Sequence, residues 1–127
     1  MSGPFFLHAA QGRRFDVAAL HHALLGAEGV VEDPTDPQGL IVAENKGAAR
    51  AIAAEMLRAP DDPQWAVFVH LEPEVIHVYR EAMQPALDRF KPALQYLLQQ
   101  GVAEVKDDED RVIPPLPLKD MVEFLLK

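Results

Sequence analysis

The stretch Trp65-Ala-Val-Phe-Val-His-Leu71 limits the fold more than any other part of the chain. It is too short for an ordinary helix, aromatic and β-branched side chains dominate it, and Pro63 and Pro73 bracket it. It predicts a central strand. Alternation puts Trp65, Val67, Val69 and Leu71 on one face and Ala66, Phe68, His70 and Glu72 on the other. One face is therefore wholly apolar and must be covered, while the mixed face is free to carry polar chemistry.

The other segments arrange themselves around this strand. Phe5 to Ala9 reads as a first strand after Pro4, with Phe5, Leu7 and Ala9 on one side and Phe6 and His8 on the other. Asp16 suits an N-cap for a helix through about Ala27, with Val17, Leu20, Leu24 and Ala27 as its apolar stripe. Val30–Glu32 and Leu40–Asn45 flank the turn-rich connector Asp-Pro-Thr-Asp-Pro-Gln-Gly. An alanine-rich helix follows Asn45, carries Ala49, Ile52, Ala53 and Met56 on one stripe, and stops at Pro60. Val75 to Tyr79 offers another strand. This order predicts an α+β fold of the ferredoxin-like (split βαβ) type, an antiparallel sheet with its helices on one face. That topology alone imports no function.

Beyond this core, placed at 4–82, residues 84–127 read as a C-terminal extension within one 1–127 domain. It comprises a helix from Gln84 to Gln100 interrupted at Pro92, a hairpin with the charged tip Lys106-Asp-Asp-Glu-Asp110, and a final helix from Lys119 to Leu126 after the stiff Pro114-Pro115-Leu116-Pro117 arm.

Composition removes several function classes. With no cysteine, thiolate nucleophiles, disulfides and Cys-based metal sites are excluded. Twelve Lys and Arg against 20 Asp and Glu give a net charge of −8, which opposes phosphate backbones and permits a basic protein partner, though acidity also simply keeps a small protein in solution. No apolar run reaches the roughly 18 residues of a spanning helix, and the N-terminus lacks the basic region of a secretory signal, so no nucleic-acid or membrane partner is expected and the cytoplasm is the expected compartment.

The motifs are equally restrictive. The only serine, Ser2, sits at the chain end and the only threonine, Thr35, in the proline turn, which argues against a serine triad. Asp33 and Asp36 each precede proline and read as turn initiators, not metal ligands. Asn45-Lys-Gly47 reads as a capped helix start and lacks the pattern of a P-loop. The Asp107–Asp110 run lacks the ligand spacing and glycine of a calcium loop. The segment 92–113 has the outline of a winged-helix wing, but its acidic tip opposes DNA. No catalytic residue, metal or cofactor is predicted.

What remains is the mixed sheet face. If the strands align as above, Phe6, His8, Leu40, Val42, Glu44, Phe68, His70 and Glu72 share it, with His77 and Tyr79 joining from the next strand. In split βαβ order the first and fourth strands are neighbours, which would bring His8 near His70. The candidate binding residues are Phe6, His8, Glu44, Phe68, His70, Glu72, His77 and Tyr79. Such a mixture of aromatic and polar groups is usual for a protein-partner surface. The sequence therefore predicts a non-catalytic acidic interaction domain, of inhibitor, immunity or chaperone/adaptor type, with homodimerisation as one form of association. The alternative is a small-molecule sensor or small enzyme using the His/Glu face.

Overall fold

The computed structural model describes residues 3–127; Ser2 lies outside them. Its strands are β1 (Phe5–Ala9), β2 (Val30–Glu32), β3 (Gly39–Val42), β4 (Val67–Leu71), β5 (Val75–Tyr79) and β6 (Val102–Asp107). Its helices are α1 (Val17–Leu25), α2 (Lys46–Arg58), α3 (Gln84–Leu98) and α4 (Leu118–Leu125). The strands form one antiparallel sheet in the order β2-β3-β4-β5-β1-β6.

Local chemistry sets the helix starts. The Asp16 carboxylate accepts a hydrogen bond from the Ala19 N–H at 3.1 Å, and the Asn45 side chain accepts one from the Ala48 N–H at 2.8 Å, each satisfying a donor the first turn would otherwise leave open. After α1 the chain reverses through Gly29 at φ 78°, where an added Cβ would stand 2.5 Å from the Ala43 carbonyl oxygen. Only glycine fits there.

The first sheet face is the main core. Phe5, Leu7, Val30, Leu40, Val42, Val67, Val69, Leu71, Ile76 and Val78 are all 2% exposed or less. Helices α1, α3 and α4 cover them with Leu20, Leu24, Phe90, Leu94, Leu97 and Leu125. The chain beyond residue 83 thus closes the same core, and β6 pairs along β1. Helix α3 runs through Pro92 without a break.

Helix α2 lies on the second face. Its Ala49 joins Ile41, Ala43 and Ala66 in a separate buried cluster, bordered by Ile52, Ala53, Met56 and Phe68. The alanine stripe does pack closely on the sheet, but on the side opposite the other helices.

Three expectations change accordingly. The ferredoxin-like split βαβ arrangement is not confirmed, because β5 stands between β1 and β4, and β6 flanks β1 on its other side. The helices occupy both faces of the sheet, not one. Trp65 also departs from its expected place: it precedes β4 and is 62% exposed, so it takes no part in the core.

Candidate functional site

Helix α2 covers the second face only over β2, β3 and the start of β4, and the rest of that face is open. Cross-strand register identifies what occupies it. Phe68 is opposite Tyr79, His70 opposite His77, and His77 in turn opposite Phe6. Directly opposed residues point to the same side of an antiparallel pair, so these side chains form one continuous patch. Tyr79 is 44% exposed, and a hollow of about 270 Å³ opens beside it, with Phe68, Ala66 and Pro4 among its walls.

At the centre is a linked set of imidazoles and carboxylates. His70 Nδ1 lies 2.6 Å from Asp36 Oδ2, and His70 Nε2 lies 3.2 Å from Glu72 Oε1. Both ring nitrogens face acceptors, an arrangement that a doubly protonated imidazolium satisfies and a neutral ring does not. Burial pulls the His70 pKa down, but hydrogen bonding and charge attraction from Asp36, then from Glu72, outweigh it and hold it above 6.5. Glu72 is held below 4.5, chiefly by the His77 imidazole and also by His70, against its own desolvation.

His77 closes the set. Its Nε2 is 3.3 Å from Glu72 Oε2, near enough for an ion pair. The contact is not aligned as a hydrogen bond, and Nε2 is a buried nitrogen without a hydrogen-bond partner among the described residues. The ring packs edge-on against Phe6, with centroids 5.3 Å apart, and against His70 at 5.4 Å.

The connector before β3 reaches into this patch. Asp36 Oδ1 accepts from the Gln38 N–H at 3.0 Å, fixing the turn, while its other oxygen holds His70. Asp33 is used within the turn, accepting from the Thr35 N–H at 2.8 Å and the Thr35 hydroxyl at 2.7 Å.

Of the residues the sequence nominates, Phe6, Phe68, His70, Glu72, His77 and Tyr79 are brought together. His8 is on the same face but beside Val75 and Glu104, one step beyond Phe6; with β5 between β1 and β4, His77 takes the place expected for it next to His70. Glu44 is elsewhere. It follows β3 and its carbonyl accepts from Arg89 Nε of α3 at 3.0 Å. Leu40 and Val42 face the main core opposite Val69 and Val67, so β3 is turned over relative to its expected orientation. Asp36 is the member that sequence reasoning missed. Seeing it required the pairing of Gly39 with His70, which sets the end of the connector beside the imidazole.

Both ring nitrogens of His70 are engaged by carboxylates, and the Thr35 hydroxyl is bound to Asp33. No group of three or more His, Asp or Glu among the described residues converges on a metal position. No helix among the described residues is long and apolar enough to cross a membrane. Lys46, at the capped start of α2, donates to the Leu25 carbonyl at the end of α1 at 3.4 Å. Comparison with known protein families, curated proteins and solved structures finds no match to this chain.

Proposed function

We propose that this protein is a non-catalytic interaction domain that binds another protein through the open part of its second sheet face. The observation that carries the reading is the partial cover given by α2. Tyr79 is exposed and Phe6 and Phe68 partly so, around a network in which both ring nitrogens of His70 are paired with carboxylates. Such a patch offers apolar contact area without a large cost for stripping water from unpaired charges. The net charge of −8 favours a basic partner and speeds its approach. An inhibitor, immunity protein or adaptor acting in the cytoplasm fits these properties, and the absence of cysteine agrees with a reducing compartment. A sensor or enzyme built on His70 and Glu72 is less favoured, because both spend their polar atoms on each other and on Asp36 and His77.

The test is capture from the native source at low and moderate salt, using wild-type protein and Tyr79→Glu as paired baits. A partner held by the wild type and lost by the variant supports the proposal. Retention of no protein at either salt, with monomeric behaviour in light scattering, refutes it.

A further inference from the structure

The turn joining β1 to α1 carries a second feature, at the opposite end of β1 from Tyr79. His8, Gln11, Gly12, Arg13, Arg14 and Glu74 line a depression of about 410 Å³ there. Arg13 and Arg14 are exposed and have no ion-pair or hydrogen-bond partner for their guanidinium groups among the described residues. In a chain with 20 carboxylates against 12 Lys and Arg, two adjacent cations without a carboxylate partner are unexpected. Cations lining one depression raise its potential and favour an anion in it.

The backbone supports the same ligand. Gly12 adopts φ 77° with open space at its Cβ position, and only the Arg13 N–H is used inside the turn, donating to the Ala10 carbonyl at 2.8 Å. The N–H groups of Gln11, Gly12 and Arg14 donate to nothing among the described residues. Successive free N–H groups around a left-handed residue form an anion-binding concavity. The turn is also held in place. Ala9 N–H donates to the Glu74 carbonyl at 3.0 Å, Phe15 N–H donates to the Pro73 carbonyl at 2.7 Å, and the Phe15 side chain is 7% exposed. Little backbone ordering is then left for binding to supply.

We propose that this turn is a binding site for a phosphate-type oxyanion, gripped by the Arg13 and Arg14 guanidiniums and the free turn amides, with the His8 imidazole as a further donor at its wall. Planar guanidiniums match the oxygens of such an anion in bidentate fashion. Glu74, on the same wall, is a carboxylate that opposes the anion, so the hold must come from the two guanidiniums and the turn amides. The size of the depression suits a small phosphorylated metabolite.

The experiment is an amide NMR titration of the whole chain with inorganic phosphate and with methyl phosphate, using sodium chloride at matched ionic strength as reference. Saturable shifts at Gln11, Gly12 and Arg14 are expected. They should weaken by about tenfold or more in R13Q/R14Q, two exposed changes whose thermal melting should match the wild type. Tighter binding of methyl phosphate assigns the site to an ester, and tighter binding of inorganic phosphate to the free anion. Shifts no larger than those in chloride, or equal affinity in the double variant, would overturn the proposal.

Discussion

Gly39→Ala is the sharpest perturbation of the histidine network, because it displaces one of the network's polar atoms while removing none of them. A Cβ at Gly39 would lie 2.6 Å from Asp36 Oδ2 and 2.9 Å from Asp36 Cβ, so the aspartate must move. The moving oxygen is the one that sits 2.6 Å from His70 Nδ1. A charge-assisted hydrogen bond is worth about 1.5–3 kcal/mol, and the lower end applies here because the two side chains are 30% and 29% exposed and partly screened. Disturbing the Asp36–Gln38 turn bond adds about 1 kcal/mol. The entropy removed from the unfolded chain by replacing glycine returns about 0.5 kcal/mol. The net loss is about 2 kcal/mol, or about 8 °C in melting temperature at this chain length. Urea denaturation near neutral pH measures the first quantity, and an NMR titration of the His70 ring measures the second consequence, a pKa that drops toward 6.5. Asp36→Asn, which removes the charge while keeping the volume, should lower that pKa without the steric cost. Stability within about 0.5 kcal/mol of wild type, together with an unchanged His70 titration, would refute the coupling.

Because the folded-state pKa of His70 is raised above 6.5, its contribution is complete below pH 6.5 and is lost as pH rises through the folded value. Glu72, lowered below 4.5, contributes above pH 4.5 and loses its contribution as pH falls through its folded value. Urea midpoints across this range should therefore decline on both sides for the wild type, and His70→Gln should flatten the alkaline side; an identical profile in the variant would exclude His70 as the source. Phe90→Ala, which empties a fully buried site beneath the sheet, should cost about 3–5 kcal/mol in chemical denaturation, whereas a loss under about 1 kcal/mol would mean α3 is not docked as described.

Strand faces were legible wherever one side of the sheet meets solvent. In β1, β4 and β5 the buried positions alternate with partly exposed ones, and the sequence alternates with them, so Phe6, Phe68, His70, His77 and Tyr79 could be grouped in advance. The caps at Asp16 and Asn45 and the alanine stripe of α2 were equally readable, since each depends on local chemistry. Strand β3 was not. All of Gly39, Leu40, Ile41 and Val42 are buried because α2 covers one side and the main core the other, which leaves no alternation from which to choose an orientation. That reversed Leu40 and Val42 and placed Glu44 on the wrong side. Strand order failed for a related reason: β6 joins β1 from far along the chain, and short strands carry no local signal of their neighbours. Asp36 went unseen because its role exists only once β3 and β4 are in register.

The chain's two tyrosines provide the most direct test of the central claim that the open sheet face is a protein-binding surface. Tyr79 is on that face and 44% exposed, while Tyr96 is on α3 and 36% exposed, so each serves as the other's control. Hydroxyl-radical footprinting should be run on the purified chain and on the complex captured from its native source. Tyr79 should become protected in the complex while Tyr96 labels as before. Protection of Tyr96 with Tyr79 still fully reactive would contradict it.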